Sequence, residues 1–205
     1  MKTNTQPIQP DYCYHIYNRG INGETLFKQE RNYAFFLKQY AKFIEPIAKT
    51  YAYVLMNNHF HLLVKIKSEV QIRQAFPTKG KTTIEHLIGQ QFAKLFSSYA
   101  QAINRQEKRT GGLFEECFRR KPVLTENYAA QAVYYIHHNP QKHQFVSDFR
   151  DYPYSSFRTF IQEGQTRIPR EEVFDWFGGK KTFLAYHGMI QEFDEVWLQQ
   201  HWIEL

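Results

Sequence analysis

The chain has 205 residues, of which 42% are hydrophobic and 22% are charged, which is enough for one domain with its own buried core. Its mean hydropathy is −0.60, and no run approaches the roughly 18 apolar residues that a membrane-spanning helix needs, so we expect no membrane partner. Met1–Gln9 is polar and lacks the apolar core of a signal peptide, which favours a cytoplasmic location. The two cysteines, Cys13 and Cys117, lie far apart and exclude a zinc ribbon or a disulfide framework.

The formal net charge of +6 is unevenly distributed along the chain. Residues 1–170 carry 24 of the 26 basic and 13 of the 20 acidic residues, a balance of +11, whereas residues 171–205 carry 2 and 7, a balance of −5. A basic body predicts a polyanionic partner, and the 14 Tyr and 18 Phe could stack on unpaired bases as well as fill a core. The acidic end could cover the basic face, contact a partner or only solubilise the chain.

The first predicted elements are a strand, a helix and a hairpin. Tyr12–Asn18 alternates like a half-buried strand. Glu30–Phe43 repeats apolar residues at intervals of three and four, as a helix does. Thr50–Met56 and His59–Lys67 predict two strands joined by a two-asparagine turn.

The middle of the chain predicts a loop, a helix and an edge strand. Ser68–Lys81 contains three basic residues, a proline and a glycine, and predicts a basic loop. A helix is expected from Thr83 to about Ile103. Cys117–Leu124 predicts a fourth strand, which we expect at an edge of the sheet because it contains a proline.

The last elements are helical. Glu126–His138 predicts a helix that ends near Asn139, because a proline follows. The acidic end contains three short helical patches: Arg170–Phe177, Lys181–His187 and Ile190–Trp202. The element order predicts an α+β fold, an antiparallel sheet with helices packed on it. We expect a domain over residues 1–160 and an acidic helical C-terminal extension over residues 161–205.

Two histidines share one side of the third predicted strand. Strand side chains alternate between faces, so His59 and His61 project together from the side opposite the core-forming residues. Two neighbouring imidazoles can bind one metal ion. The alternative is a polar strand face without a ligand, since His-x-His is a short and common pattern.

The last long helix carries a tyrosine and an amide one turn apart. Residues four apart on a helix lie about 40° apart in azimuth, so Tyr135 and Asn139 share a face. With the histidine pair they would give two imidazole nitrogens and an amide oxygen, which suit Mg²⁺ or Mn²⁺ holding a phosphate. The alternatives are that Asn139 only ends the helix and that Tyr135 is a core aromatic residue.

A tyrosine beside a metal-bound phosphate favours strand transfer over hydrolysis. A phenol has an ordinary pKa of about 10 and is a poor nucleophile unaided. Its attack on a DNA phosphodiester conserves the bond as a phosphotyrosine ester, and a metal would act as a Lewis acid on the phosphate. The region of His59 and His61 contains no Asp or Glu cluster that could hold two metals, as a plain nuclease would need.

Five segments, taken in order, resemble one known family. They are YHIYNRG (14–20), VLMNNHFHLLVK (54–65), GGLFEECFRRKPV (111–123), YYIHHNPQKHQFV (134–146) and YPYSSF (152–157). The second resembles the histidine–hydrophobic–histidine segment of the HUH single-tyrosine transposases, and the fourth resembles the Tyr-Ile-x-x-Asn-Pro-x-Lys segment of the REP-associated tyrosine transposases within that superfamily. The resemblance covers roughly residues 12 to 160.

This resemblance implies a ferredoxin-like sheet, a divalent metal, and cleavage of single-stranded DNA near a hairpin that leaves a 5′-phosphotyrosine and a free 3′-OH. By position it implies His59, His61 and Asn139 as metal ligands and Tyr135 as the nucleophile. The superfamily contains swapped dimers and monomers, and the length of this chain favours a monomer. Action on DNA places the protein at the nucleoid.

Several neighbouring side chains could compete for these roles. Tyr134 is the nearest rival nucleophile, but its azimuth differs from that of the face shared with Asn139. Tyr128 is about 10 Å from Tyr135 along the helix axis. His137 and His138 could shuttle protons or contact phosphate, although an exposed helix end explains both more simply.

The predicted function is metal-dependent cleavage and strand transfer of single-stranded or hairpin DNA; the alternative is a binding protein that keeps the fold without cleaving. Chemically competent residues at all four site positions argue against that alternative. A structural zinc protein is disfavoured because cysteines with ligand spacing are lacking. Basic side chains are candidate contacts to the DNA backbone: Lys65, Lys67, Arg73, Lys79, Lys81, Arg119, Arg120 and Lys121.

Overall fold

A computed structural model describes residues 6–77 and 82–189. The four strands of its sheet are β1 (Cys13–Arg19), β2 (Ala48–Leu55), β3 (His59–Ile66) and β4 (Arg119–Val123). They pair antiparallel in the order β2-β3-β1-β4, which is the ferredoxin-like order. The predicted α+β fold with a ferredoxin-like antiparallel sheet is therefore confirmed, with β4 at an edge as its proline indicated.

Seven α-helices surround this sheet in the described part of the chain. They are α1 (Glu30–Phe43), α2 (Glu69–Ala75), α3 (Ile84–Gln106), α4 (Glu126–Lys142), α5 (Phe157–Ile161), α6 (Arg170–Trp176) and α7 (Lys180–Gly188). Short 3₁₀ turns lie at Ile21–Gly23 and Phe149–Asp151. None of the helices described is long and apolar enough to cross a membrane. The patch over residues 190–202 lies outside the described residues.

The first layer of core lies between the sheet and helices α1 and α3. Phe60 and Leu62 of β3 are fully buried there against Phe36 of α1 and Phe92 of α3. These are the strand residues that alternation assigns to the core. Complete burial of one such side chain stabilises the fold by about 1.5–3 kcal/mol, so this layer holds the strand that carries the histidines.

A second apolar layer covers the opposite face of the sheet. Leu63 of β3 and Val54 of β2 pack there with Val133 of α4. Phe183 of α7 belongs to the same cluster, so part of the predicted acidic extension packs into the core of the protein. The division at residue 160 remains a prediction. The histidine face, which alternation places outside the first layer, is buried beneath this second one.

Helix α2 lies where the sequence analysis expected only a basic loop. Ser68 caps the helix, since its Oγ accepts a hydrogen bond from Gln71 N at 3.4 Å and Gln71 Oε1 accepts one from Ser68 N at 3.2 Å. This reciprocal arrangement is a capping box. The expectation of a loop over Ser68–Lys81 is wrong for residues 69–75, because the Ser-x-x-Gln signal was outweighed by the basic residues, the proline and the glycine.

Helix α4 continues beyond the point where its proline was expected to end it. Pro140 lies within the helix and is buried, and it lacks only the N–H that would bond to the carbonyl one turn earlier. His143 N donates to Asn139 O at 3.0 Å and Phe145 N donates to Pro140 O at 2.8 Å, so the last turn keeps its hydrogen bonds. Asn139 therefore belongs to the helix body and shares the face of Tyr135.

Candidate active site

The histidine pair lies on β3 beneath helix α4. His59 and His61 are 4% and 2% exposed, and their ring centroids are 5.3 Å apart. Strand alternation puts them on the same face because they are two residues apart. The sheet thus presents two buried imidazoles side by side to the helix that crosses it.

Helix α4 brings the predicted tyrosine and amide to these histidines. The ring of Tyr135 meets the ring of His61 edge-on, with centroids 5.7 Å apart and planes at 87°. Asn139 Oδ1 lies 3.4 Å from His59 Nε2. The four residues proposed from the sequence therefore lie together, from two elements about 80 residues apart in the chain.

The contacts of His59 favour one position for its proton. Burial, with His143 nearby, lowers the pKa of His59 to about 4, so the neutral ring has a single N–H. Nδ1 lies 2.8 Å from Asn58 Oδ1 and Nε2 lies 3.4 Å from Asn139 Oδ1, so the shorter contact favours the proton on Nδ1. Nε2 then directs a lone pair at Asn139 Oδ1, which also carries lone pairs. A divalent cation held between these two acceptors would satisfy both of them.

His61, like His59, has a hydrogen-bond partner at its Nδ1. Its Nδ1 lies 2.9 Å from His15 Nε2, and the two rings stack with planes at 9°. Burial lowers the pKa of both imidazoles well below the ordinary value, so one ring donates and the other accepts. A metal-binding histidine donates through the nitrogen that does not bind the metal. His15 is thus placed to accept from His61 Nδ1 and leave Nε2 for an ion.

These donors fit a hexacoordinate divalent ion. Neighbouring ligands of an octahedral ion with bonds of about 2.1 Å lie about 3 Å apart, close to the 3.4 Å between His59 Nε2 and Asn139 Oδ1. Within residues 6–77 and 82–189, no group of three His, Cys, Asp or Glu side chains is arranged to hold a metal. His59, His61 and the amide oxygen of Asn139 remain the ligand set that the sequence predicts.

Sequence reasoning missed three residues beside this site. Lys142 Nζ lies 5.6 Å from the centre of the Tyr135 ring, and its signal was available, because it follows Asn139 by three residues on the same helix face. The ring of His143 lies 5.2 Å from that of His59. His15 approaches only through the pairing of β1 with β3, which a single sequence does not reveal.

Tyr134 and His137, two of the rival side chains on α4, are engaged elsewhere. Tyr134 Oη donates to Met189 O at 2.9 Å, and its ring stacks on that of His138 at 3.8 Å. His137 is completely buried, so the expectation of an exposed helix end is wrong for it. The second apolar layer, which the sequence did not reveal, covers this side of the helix. Tyr135 is the tyrosine of this helix that faces the histidine pair.

A cavity gives access to the tyrosine from one side. It has a volume of about 570 Å³, and its lining includes Tyr135, Asn139, Lys142 and Arg150. Asp148 also lines the cavity and forms an ion pair with Arg150. Lys142 is thus the cation beside the phenol and the amide oxygen that favours an anionic group such as a phosphate.

The basic residues of β4 divide between the two faces of the sheet. Lys121 lies directly opposite His15 in the strand register, so Lys121 and Arg119 share the face of the histidine site. Arg120 points to the other face, where its guanidinium lies 5.1 Å from the ring centre of Phe118. Arg119 and Lys121 are therefore the members of this group placed beside the site.

Two further candidates lie on β3 or just beyond it. Lys65 is exposed and follows His59 by six residues, which corresponds to about 20 Å along a strand. Lys67 lies further on, and its Nζ donates to the backbone oxygen of Glu45 at 2.6 Å. The structure does not bring either lysine to the histidine pair.

The remaining basic candidates belong to the segment after β3. Arg73 forms an ion pair with Glu69 one turn earlier on α2, at 2.6 Å. Lys79 and Lys81 lie outside the described residues. Their part in DNA binding remains a prediction from the sequence.

Comparison with known proteins gives a relative in sequence and one in structure. No protein-family model matches the chain. It is 30% identical over 117 residues to a Haemophilus influenzae protein named "Putative REP-associated tyrosine transposase", covering 56% of this chain and 61% of that protein. The chain thus spans about three fifths of the length of that curated relative.

A solved structure of a REP-associated tyrosine transposase bound to a REP hairpin has a TM-score of 0.58 to this chain. The match covers 80% of this chain and 93% of that one, at 14% identity, and it shows a shared fold. The resemblance predicted from the five segments is confirmed: the chain is similar to REP-associated tyrosine transposases in sequence and in fold.

Proposed function

We propose that this protein cleaves single-stranded DNA beside a hairpin and transfers the cut strand through a 5′-phosphotyrosine on Tyr135. The observation that carries the proposal is the pair of acceptors, His59 Nε2 and Asn139 Oδ1, that face each other at 3.4 Å. Tyr135 lies one helical turn before this pair, with its ring against His61. The similarity to REP-associated tyrosine transposases supports the same chemistry.

His59, His61 and Asn139 would hold Mg²⁺ or Mn²⁺. Burial keeps both imidazoles neutral, the form that binds a metal. Asn58 and His15 fix their rings by hydrogen bonds to Nδ1. When bound, the ion supplies Lewis-acid activation and orientation of the scissile phosphate.

Tyr135 forms and later releases the covalent bond. Its Oη attacks phosphorus, the bond from phosphorus to the 3′ oxygen breaks, and the proton lost by the phenol is balanced by the proton gained on the new 3′-OH. A second 3′-OH can reverse these steps and rejoin the strand without ATP. The ammonium of Lys142, 5.6 Å from the ring centre, attracts the approaching phosphate.

Hairpin or single-stranded DNA is the partner that this site implies. Arg119 and Lys121 lie on the histidine face of β4, and Lys142 lines the cavity beside Tyr135. Such cations bind the backbone without reading sequence. The solved relative was captured with a REP hairpin, which supports the choice of probe. A protein with this substrate would act at the nucleoid, in the cytoplasm.

We propose a monomer as the active form. The nucleophile and all three proposed ligands belong to the same chain and are already in contact with one another. No residue from a second copy is needed to assemble them.

A detergent-resistant protein–DNA adduct tests the proposal. Wild type, Tyr135→Phe and Tyr134→Phe are incubated with labelled, heat-denatured DNA from the flanks of the gene, with Mg²⁺, Mn²⁺ or EDTA. We expect a metal-dependent adduct with wild type and Tyr134→Phe and none with Tyr135→Phe, which should still bind the DNA. An adduct that persists in Tyr135→Phe would refute the nucleophile. Salt-sensitive binding without any adduct would identify a DNA-binding protein that does not cleave.

A further inference from the structure

A hydrogen-bonded network of buried polar side chains lies in the second apolar layer, away from the proposed metal site. Its members are His137 of α4, His187 of α7 and Ser156, which precedes α5; they are 0%, 3% and 0% exposed. Their surroundings are aromatic, since His137 contacts the rings of Phe157 and Phe160. Polar groups at such depth destabilise a fold unless they are hydrogen-bonded.

The donor and the acceptor of each hydrogen bond in this network follow from one another. Burial lowers the pKa of His187 to about 3, so its ring has one N–H. His187 Nδ1 lies 2.9 Å from Phe183 O and must donate to it. His187 Nε2 therefore accepts from His137 Nδ1 at 3.0 Å. His137 Nε2 in turn accepts from Ser156 Oγ at 2.9 Å, and Ser156 Oγ accepts from Tyr53 N at 2.9 Å.

This network connects α7 and α4 to the sheet. Ser156 N also donates to Tyr53 O at 2.9 Å, and Leu55 N donates to Tyr154 O at 2.9 Å, so this segment extends the edge of β2. Val54 of β2 is opposite His61 in the strand register. Helix α4 is thus tied to the strand next to the one that carries the histidines.

His137 lies on a different side of α4 from Tyr135 and Asn139. His137 is two residues from both Tyr135 and Asn139, which places it about 200° around the helix from each of them. Apolar packing is not directional, whereas hydrogen bonds to an imidazole restrict both distance and angle. Hydrogen bonds on this side of the helix therefore restrict its rotation, and with it the direction of Tyr135 and Asn139.

We infer that Ser156, His137 and His187 are positioning residues that hold α4 in the rotation at which Tyr135 and Asn139 meet the histidine pair. The inference rests on the proposed function and deepens it. It also gives a role to α7, which lies in the predicted acidic extension: His187 fixes the tautomer of His137 and so directs its other nitrogen at Ser156. The YPYSSF segment then contributes to the site without touching it.

Two neighbouring serines provide a matched test. Ser156→Ala removes the hydroxyl that joins Tyr53 N to His137, whereas Ser155→Ala removes a neighbouring buried hydroxyl that accepts from Phe157 N, two residues further on, at 3.2 Å. The measurements are the adduct-forming rate at saturating hairpin DNA, the Kd for that DNA, and the Mn²⁺ affinity of the protein alone. They are made well below the unfolding temperature of each variant.

We expect Ser156→Ala to slow adduct formation by up to about 100-fold, the loss that a misplacement of about 1 Å can cause, and to weaken Mn²⁺ binding. Its Kd for DNA should stay within about twofold, which separates positioning from substrate binding. Ser155→Ala should match wild type in all three measurements. Equal behaviour of the two serine variants would overturn the inference.

A second pair of variants covers the case in which Ser156→Ala does not fold. His187→Leu removes the acceptor for His137 Nδ1, while His187→Gln keeps an acceptor oxygen near the same place. We expect His187→Gln to recover most of the adduct rate and Mn²⁺ affinity that His187→Leu loses. Equal loss in both would overturn the inference. An inactive wild type would instead refute the proposed function, and with it the role of these residues in positioning a nucleophile.

Discussion

Replacement of His15 by Phe isolates one hydrogen bond of the proposed metal site. His15 Nε2 lies 2.9 Å from His61 Nδ1, and the stacked rings are 5.1 Å apart. Phenylalanine keeps a planar ring in this 1% exposed position but cannot accept from His61. Loss of such an outer hydrogen bond lowers metal affinity by about 10- to 100-fold, equivalent to roughly 1.4–2.7 kcal/mol. We expect this reduction for Mn²⁺.

The assay is titration of the metal-free protein with Mn²⁺, followed by the electron paramagnetic resonance signal of the free ion. His15→Gln is the matched control, because its amide oxygen can accept from His61 Nδ1, and we expect it to bind Mn²⁺ more tightly than His15→Phe. Circular dichroism and thermal unfolding establish that each variant is folded. Wild-type affinity in a folded His15→Phe variant would refute the argument that His15 orients His61 for a metal.

Three other predictions concern pH, salt and assembly. The pKa of His59 is lowered from 6.5 to about 4, so below pH 6.5 the unfolded chain binds more protons than the folded one and stability falls as the pH falls. This group alone lowers the free energy of unfolding of the metal-free protein by about 2 kcal/mol between pH 7 and pH 5. An unchanged urea midpoint between these pH values would contradict the prediction. Replacement of Arg119 and Lys121 by Ala should reduce the slope of log K against log salt concentration for single-stranded DNA binding by about 1.4. The same change at Lys65 and Lys67 should leave this slope unaltered. Equal slopes for the two double variants would refute the placement of DNA beside Arg119 and Lys121. Light scattering after gel filtration should give the mass of one chain, and a stable dimer would contradict the proposed monomer.

Local patterns in the sequence were sufficient to predict the helices and strands that depend on residues close together in the sequence. Helix α1 has the predicted bounds, Glu30–Phe43, because its apolar period and its packing agree. The hairpin of β2 and β3 was also predicted to within two residues at its outer ends. Helix α2 was missed because the Ser68 capping box was not recognised. The helix end expected near Asn139 was wrong because Pro140 forfeits one hydrogen bond in a turn held by the bonds that follow it.

The sequence by itself determined the chemistry of the proposed site. Strand alternation put His59 and His61 on one side, and helical spacing put Tyr135 and Asn139 on one face, since both periods are properties of the backbone. Only the tertiary structure decided that these two surfaces meet. Apolar burial on both faces of the sheet drives α4 onto the histidines, and the resulting depth changes the imidazoles from polar surface groups into neutral ones with fixed tautomers.

The partners that fix those tautomers were also a tertiary outcome. His15 reaches His61 through strand pairing across 46 positions, and His187 reaches His137 across 50. Nothing local in the sequence specifies contacts of that length, because they depend on how separate elements pack. A single sequence thus identified the groups that we propose to react, while their orientation depended on buried hydrogen bonds between distant segments.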